Sequence, residues 1–389
     1  MRILQLGKFY PIRGGVEKVM WDQTESHSSA GVPCDMLCAK FPYDDPDEKD
    51  LPFYSQDGVF TLNDAGRVFC VPAWAKLAAT MIAPRMISWL RRHGKEYDII
   101  HLHHPDPMAA LALRLSGYRG KVVLHWHSDI ISQKFFLRLY KPLQDWIIRR
   151  SDKILGTTPV YINSSPYLRE VQEKCDFVPI GIDPVSFNLE TAGAIRNSYP
   201  GKTLLVSVGR LVPYKGFSFL IEAMTRLPER FHLLLAGKGP LKESLINQIR
   251  NSGLQDRVTI LGYVSDDDLP ALFGAADIFV LSSVMKTEAF GIVQIEAMSC
   301  GTPVVATRIP ESGVTWVNED GVSGLNAEPK DVDSLAKAIM GVESDIERYS
   351  AGALQRFNQL FTKEQMCLKV KSVYDSLYDN SPLAREEGD

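Results

Sequence analysis

The chain has 389 residues, of which 45% are hydrophobic and 23% are charged, and its formal net charge is −4 at pH 7. This length exceeds one ordinary hydrophobic core and suits two domains of roughly 150–200 residues each. The composition excludes a disordered chain, and the acidic balance argues against a dedicated nucleic-acid-binding protein.

Three further features concern the compartment. The six cysteines lack the spacing of a zinc site or of a disulfide framework, so they are interpreted as buried thiols in a reducing environment. The amino terminus has too short an apolar run for a signal peptide. No segment offers roughly 18–20 uninterrupted apolar residues, as a transmembrane helix requires. We therefore expect a cytoplasmic protein.

Basic side chains concentrate in residues 67–153, which hold 15 Lys and Arg against 6 Asp and Glu. One interpretation is a basic face that keeps the protein soluble. The other is a surface that meets anionic lipid or a diphosphate-bearing acceptor. Within it, residues 134–150 carry five cations beside several aromatic residues, so the segment is either a helix of the core or a peripheral contact at the inner face of the cytoplasmic membrane.

Short aliphatic runs alternate with helical patterns along the first half, which is typical of βαβ units and parallel sheets. The predicted strands are Ile3–Leu6, Asp35–Ala39, Ile99–His103, Lys121–His125 and Lys153–Thr157. The predicted helices are Val16–Ser29, Ala78–His93, Met108–Leu115 and Phe135–Arg149. The run VPIGID at 178–183 is interpreted as a short strand and a turn, and 184–202 as an irregular stretch.

The alternation then begins again. The predicted strands are Thr203–Gly209, His232–Ala236, Val258–Gly262, Ile278–Leu281 and Pro303–Thr307. The predicted helices are Gly216–Thr225, Pro240–Asn251, Asp266–Phe273, Phe290–Met298 and Val332–Val342, with a last one near Lys363–Leu377. We expect two doubly wound α/β domains, 1–183 and 184–362, and a segment 363–389 whose helix returns to the first domain. Ligands of such sheets bind outside the carboxyl ends of the strands, here in a cleft between the domains.

The strongest local signal is a carboxylate pair, Glu288 and Glu296, around the run Phe290-Gly291-Ile292. On one continuous helix the two would point about 80° apart, a poor arrangement for an acid/base pair. We therefore place Glu288 in the loop before a helix and Glu296 in the second turn of that helix. The helix start between them offers free N–H groups that suit a phosphate, and each carboxylate can accept hydrogen bonds from a diol.

Two other segments supply cations and glycines. Arg210 and Lys215 lie in a loop after a predicted strand, where two cations can reach one diphosphate together. Gly14 and Gly15 follow the first strand and permit close approach of a ligand to the backbone, although they do not complete a dinucleotide fingerprint.

Histidines cluster at two predicted strand ends. His127 is of a type that contacts a sugar hydroxyl. The others are His101, His103, His104 and His125. No recognised ligand spacing accompanies them, so we expect no metal site. The acidic runs at 44–47 and 265–268 are interpreted as a loop and a helix cap.

Together Gly14-Gly15, His127, Arg210, Lys215 and Glu288-x7-Glu296, in this order, resemble the retaining glycosyltransferase family 4, which has the GT-B fold of two facing Rossmann-like domains. The likeness covers nearly the whole chain and includes LLLAGKGP, LGYVSDDDL and AMSCGTPVVAT. It implies that Arg210 and Lys215 hold a diphosphate, that Glu296 takes the ribose, and that Glu288 takes the hexose hydroxyls.

The same resemblance implies that Gly15 lies near the phosphates, that His127 contacts the donor sugar near its reacting carbon, and that the base pocket lies at Gly262, Tyr263 and Val264. It implies neither a metal nor a cofactor beyond the nucleotide sugar as co-substrate. The segments HHPDP and HSDIISQK are similar to those of bacterial surface-polysaccharide mannosyltransferases, which implies GDP-mannose and a lipid-linked oligosaccharide acceptor. The alternatives are a nucleotide-sugar epimerase of the same fold and a non-catalytic nucleotide-sugar-binding partner.

Overall fold

A computed structural model describes residues 1–10, 12, 14–40, 58–77, 80–130 and 134–379, with the backbone alone over 134–137. The acidic run at 44–47 and the last ten residues lie outside this described part. The chain divides into two compact units. The first comprises Met1–Pro179 and the C-terminal segment from Lys363, and the second comprises Ile180–Thr362.

The first unit is built on one large sheet. Its elements up to Pro179 are β1 (Ile3–Tyr10), α1 (Gly15–Ser29), β2 (Cys34–Lys40), β3 (Val59–Asn63), β4 (Gly66–Pro72), β5 (Ala75–Leu77), β6 (Thr80–Ile82), α2 (Arg85–His93), β7 (Ile99–His104), α3 (Pro107–Ser116), β8 (Lys121–Trp126), α4 (Lys134–Arg150), β9 (Lys153–Gly156), α5 (Pro159–Ser164) and β10 (Cys175–Phe177). The sheet order is β10-β9-β8-β7-β1-β2-β4-β3, and β5 and β6 form a separate two-stranded antiparallel sheet. All neighbours in the large sheet are parallel except β3 and β4.

The second unit has a six-stranded parallel sheet. Its elements are α6 (Leu189–Asn197), β11 (Thr203–Val208), α7 (Phe217–Ala223), β12 (Phe231–Ala236), α8 (Lys242–Asn251), β13 (Val258–Gly262), α9 (Leu269–Ala275), β14 (Ile278–Leu281), α10 (Ile292–Ser299), β15 (Val304–Thr307), α11 (Val314–Val317), β16 (Gly324–Ala327), α12 (Val332–Glu343) and α13 (Ile346–Leu360). The order β13-β12-β11-β14-β15-β16 is that of a Rossmann sheet. The order in which successive strands are added to the sheet reverses between β11 and β14, while the strands themselves stay parallel. The last helix, α14 (Lys363–Asp379), belongs to the first unit and packs on α1.

Local sequence explains these elements. All six residues of β7 and of β12 are buried, because helices cover both faces of a parallel sheet, and three of the buried residues of β7 and one of β12 are histidines. The side chain of Asp106 caps α3 by accepting from Ala109 N at 3.0 Å, Pro107 fits the first turn, and Gly117 ends the helix in the left-handed region.

Four sequence-based expectations are wrong. The helix predicted over Ala78–His93 begins only at Arg85, because Thr80–Ile82 forms β6. The strand predicted in VPIGID lies earlier, at Cys175–Phe177, and the irregular stretch 184–202 contains α6, which Asn188 caps. The six cysteines are free, but Cys70, Cys175 and Cys300 are only half-buried.

None of the helices in the described part of the chain has the length and apolar character needed to span a membrane.

Candidate functional site

The carboxyl ends of the second unit's strands carry most of the predicted site. Arg210 follows β11, Lys238 follows β12, Tyr263 follows β13, and the loop after β14 leads to Glu288. In an open parallel sheet, ligands bind at this edge, next to the point where the strand order reverses. Here that point lies between β11 and β14, which are the strands that lead to Lys215 and Glu288.

Lys215 and Glu288 form a direct ion pair. The Lys215 Nζ atom lies 2.5 Å from Glu288 Oε2, and each side chain is only 11% exposed. The same carboxylate oxygen accepts a hydrogen bond from Ser283 Oγ at 2.8 Å. A cation and an anion held this close, with a hydroxyl beside them, form a compact polar centre in which both charges are largely removed from water.

Close backbone contacts hold the loops around this pair. Gly216 has φ +67°, and a Cβ there would lie 2.0 Å from the carbonyl oxygen of Ser282. Gly237 has φ +149°, and its Cβ would lie 1.9 Å from the carbonyl oxygen of Gly209. Only glycine fits either position, so the loops after β11, β12 and β14 touch through their backbones. Arg210 lies exposed in the first of these loops.

The start of α10 lies next along the chain. Glu288 is in the loop before this helix and Glu296 in its second turn, as the spacing predicts. Gly291 is the N-cap, with φ +74° and no side-chain cap, while Phe290 is buried. Ser312 Oγ donates to the carbonyl oxygen of Glu288 at 2.5 Å and ties the loop down. The first N–H groups of α10, from Ile292 onward, therefore belong to a helix start that no side chain caps.

Glu296 is half-buried, and this burial raises the pKa of its carboxyl to about 7, with a further contribution from the charge of Asp266. A carboxyl with this pKa exchanges its proton near neutral pH, so it can donate as well as accept a hydrogen bond.

The predicted base pocket lies at the end of β13. Gly262 has φ +74°, Val264 is half-buried, and Tyr263 is 62% exposed. The Lys238 Nζ atom lies 4.5 Å from the centre of the Tyr263 ring, within cation–π range. Lys238 is an addition that the sequence interpretation missed. The signal was present, because Lys238 stands between two glycines directly after a buried strand.

In the first unit, the glycine pair stands at the start of α1. Gly14 is its N-cap in extended conformation, Gly15 is its first residue, and both are exposed. The end of β1 brings a cation that the sequence interpretation did not single out. Lys8 has φ +59°, and its Nζ donates to the carbonyl oxygen of Pro105 at 2.6 Å. Burial lowers the pKa of Lys8, while the nearby Asp106 opposes that change.

His127 directly follows β8 and is 5% exposed. Its ring stacks on that of His125 with a centroid distance of 4.1 Å. Burial holds the pKa of His127 well below its usual range, and the charges of His125 and Lys8 lower it further. His103, His125 and His127 place nitrogen atoms within 4.8 Å of one another, which is the one such group of metal-ligand type found in the described part of the chain.

The chain matches two protein-family models. Residues 13–185 match a model described as Glycosyltransferase Family 4, and residues 190–352 match one described as Glycosyl transferases group 1. Among curated proteins, the O-antigen chain mannosyltransferase C of Escherichia coli is 27% identical over 98% of this chain and all of its own length. The D-rhamnosyltransferase WbpZ of Pseudomonas aeruginosa is 28% identical over 93% of this chain and 92% of its own.

Among solved structures, Anabaena Alr3699/HepE in complex with UDP has a TM-score of 0.75 at 23% identity, over 97% of this chain and all of the other. Similarity at this level of identity shows a shared fold. The two Rossmann-like sheets of this chain, one parallel throughout and the other parallel except for β3, are those of the GT-B fold.

Proposed function

Because the chain belongs to glycosyltransferase family 4, we propose that it transfers a hexosyl group from a nucleotide-diphosphate sugar to a glycan or lipid-linked oligosaccharide. The favoured donor is GDP-mannose, and the anomeric configuration is retained. The name of the E. coli relative, an O-antigen chain mannosyltransferase, supports both the sugar and an acceptor in surface-polysaccharide assembly. The Pseudomonas relative is named for D-rhamnose, so the sugar is the part of the proposal that most needs a test.

The ion pair between Lys215 and Glu288 is the observation that carries the proposal. In a nucleotide sugar, the hexose is bonded directly to the second phosphate, so a diphosphate cation and a hexose-binding carboxylate have to be neighbours. Lys215 has three N–H donors and Glu288 two acceptor oxygens, so each has bonding capacity beyond their mutual contact. In the proposed complex Lys215 turns to the diphosphate and Glu288 to the hexose hydroxyls.

We assign the rest of the donor to residues around this centre. Arg210 adds a second cation for the diphosphate, and the uncapped start of α10 at Gly291 and Ile292 adds backbone N–H groups. Glu296 takes the ribose diol, and the segment Gly262-Tyr263-Val264 receives the base. From the first unit, Gly14 and Gly15 approach the phosphates and His127 contacts the sugar.

The proposed mechanism depends on charge stabilisation. Negative charge grows on the departing diphosphate, and Arg210, Lys215 and the α10 amides stabilise it more in the transition state than in the ground state. In the proposed complex Glu288 accepts hydrogen bonds from the hexose hydroxyls and from Ser283, so we assign it no nucleophilic role. The family resemblance supports front-face transfer, in which the leaving phosphate accepts the proton of the acceptor hydroxyl. The proposal needs no metal ion and no further cofactor.

A donor screen tests the proposal. The purified chain is incubated with GDP-mannose, a D-rhamnose nucleotide and UDP-glucose, with and without a panel of lipid-linked acceptors, and released nucleoside diphosphate is measured. We expect acceptor-dependent release with GDP-mannose. An epimerised sugar nucleotide in the absence of acceptor would favour the epimerase, and binding without turnover would favour the non-catalytic partner.

We also propose that the first unit binds peripherally to anionic lipids at the inner face of the cytoplasmic membrane. A surface groove of about 460 Å³ there is lined by Arg114, Arg138, Lys141, Pro142, Asp145, Trp146 and Arg149. Four of its seven residues are cations, one is an acid, and Leu139 stands 70% exposed beside them. Cations next to an exposed leucine and a half-buried tryptophan suit a lipid interface.

Sedimentation with vesicles tests this contact. We expect binding to phosphatidylglycerol vesicles at low salt, loss of binding at high salt, and loss on substitution Arg138→Glu. The matched control is Arg250→Glu, a cation at the end of α8 in the second unit. Absence of binding at low salt would refute the membrane contact and leave the transfer proposal untouched.

A further inference from the structure

Four buried side chains of the first unit form one continuous hydrogen-bonded chain that ends at His127. The Gln5 amide nitrogen donates to Tyr374 Oη at 2.9 Å, and its oxygen lies 2.8 Å from His103 Nε2. The other ring nitrogen of His103, Nδ1, lies 2.9 Å from His127 Nε2. All four side chains are at most 5% exposed, so water does not compete for these bonds.

The sheet brings these side chains together. Gln5 is in β1, His103 is in β7 and His127 directly follows β8, and these three strands are adjacent and parallel. Gln5 pairs with His101 in the register of β1 and β7, and His103 pairs with His125 in that of β7 and β8. Alternate residues of a strand point to one face, so these polar side chains share a face. The helix α14 adds Tyr374 to that face.

The imidazole rings of His103 and His127 are neutral, so each carries one N–H proton. Burial, together with neighbouring histidines, lowers the pKa of His103 and of His127 well below the usual range. A neutral imidazole has one N–H donor and one lone-pair acceptor, so a bond made by one nitrogen determines what the other can do.

The polarity of the chain follows from the Gln5 amide. The Gln5 amide nitrogen donates to Tyr374 Oη, and the Nδ1 atom of His101, 2.5 Å from that oxygen, is the acceptor for the tyrosine proton. The Gln5 amide oxygen therefore accepts the Nε2 proton of His103, which leaves Nδ1 of His103 as an acceptor. That acceptor takes the Nε2 proton of His127. The Nδ1 atom of His127 then carries a lone pair that is buried from solvent and has no hydrogen-bond partner among the described residues, and a buried polar atom of this kind calls for a partner.

His103, His125 and His127 could also be interpreted as metal ligands, but the geometry of their rings favours hydrogen bonding over metal binding. The rings of His103, His125 and His127 stack with interplanar angles of 9–22°. Ring nitrogen lone pairs lie in the ring planes, so stacked rings do not direct three of them at one point. Both nitrogens of His103 are also already engaged.

We infer that Gln5 and His103 are positioning residues, which hold His127 as the Nε2–H tautomer and keep its Nδ1 atom free to accept a hydrogen bond from a sugar hydroxyl. The inference deepens the proposed function and rests on it for the identity of the ligand. The tautomer itself is a property of the free protein, so it can be tested separately.

Two-bond ¹H–¹⁵N correlation spectra of ¹⁵N-histidine protein at pH 8 report which ring nitrogen carries the proton. Signals are assigned by comparison with the His103→Phe and His127→Phe variants. In the unsubstituted protein we expect the Nε2–H tautomer for both rings. The Nδ1–H tautomer at His127, or an even mixture of the two, would overturn the inference, because the polarity argued from Gln5 would then be wrong.

The second arm is Gln5→Met, which preserves side-chain shape and removes both hydrogen bonds. We expect the tautomers of His103 to become mixed and kcat to fall by about 10–100-fold, as for other partners that orient a functional histidine, while KM for the nucleotide sugar is unchanged. The matched control is Gln144→Met, a buried glutamine of α4 whose amide atoms have no partner among the described residues. It should leave spectra and kcat as they were.

The two arms distinguish a failure of the positioning role from a failure of the proposed function. Wild-type tautomers or full kcat in Gln5→Met would refute the positioning role. If no donor supports transfer in the unsubstituted protein, the proposed function fails, and the spectra still decide whether the chain orders the proton of His127.

Discussion

We expect Glu296 to give the second unit a pH-dependent stability, which one substitution should remove. Burial raises the pKa of its carboxyl from 4.5 to about 7. Between these pH values the folded protein holds a proton at Glu296 that the unfolded chain has released. The stability that this proton contributes is therefore fully present below about pH 4.5 and is lost as the pH rises through 7.

The expected size follows from the same shift. A rise from 4.5 to about 7 corresponds to about 3 kcal/mol of unfolding free energy if it is fully realised. Because Glu296 is only half-buried, solvent screening reduces the expected loss to about 1–2 kcal/mol. The substitution Glu296→Gln keeps the size of the side chain and cannot ionise.

Urea unfolding of the wild-type protein and of Glu296→Gln, each at pH 5 and pH 8, measures the effect. Both proteins share every other titratable group, so the difference between them isolates Glu296. We expect the wild type to lose about 1–2 kcal/mol more than the variant between the two pH values. A control that removes a carboxylate elsewhere is Glu243→Gln, on the exposed part of α8. Equal losses in the wild type and Glu296→Gln would show that the carboxyl is not desolvated, and the reasoning would be refuted.

Three further predictions concern the ion pair, the loop glycines and metal dependence. Lys215→Met should lower kcat by about 10²–10³-fold, because a preorganised cation is lost. The control Lys242→Met, which removes an exposed lysine, should leave kcat unchanged. Near-normal turnover in Lys215→Met would show that Lys215 has no part in the mechanism. Gly216→Ala should destabilise the protein by more than about 2 kcal/mol, because the new Cβ would meet the Ser282 carbonyl oxygen. The control Gly253→Ala, at a position with φ +66° and no neighbour within 4 Å, should cost only about 1–2 kcal/mol. Similar melting temperatures for the two variants would contradict the close approach at Gly216. Transfer rates should be unchanged after EDTA treatment and after added Mg²⁺ or Mn²⁺, and a rate that falls with EDTA and returns with the ion would show that the proposed metal independence is wrong.

Elements with strong patterns could be predicted from the sequence, and weakly patterned ones could not. The run Ile278–Leu281 was predicted within its observed bounds, because four apolar residues between helical patterns indicate a buried parallel strand. β5 and β6 have three residues each, too few to show a period of two. α6 was missed because its sequence, LETAGAIRN, has a single buried residue and hence no apolar stripe.

The site divides in the same way. The positions of Glu288 before α10 and Glu296 within it followed from helix geometry and local sequence. The contact between Lys215 and Glu288 could not be predicted, because 73 residues separate them and the contact depends on the pairing of β11 with β14. The link from Gln5 through His103 to His127 likewise requires the order of three strands, which one sequence does not reveal.

The contact between Gly209 and Gly237 has a consequence for engineering. These residues begin the loops after β11 and β12, and the backbone of one occupies the space that a side chain of the other would need. A loop grafted alone from a homologue with a different backbone path would collide with its unaltered neighbour. Chimaeras intended to change sugar or base selectivity should therefore exchange the two loops as one block, and saturation libraries should leave both glycines untouched.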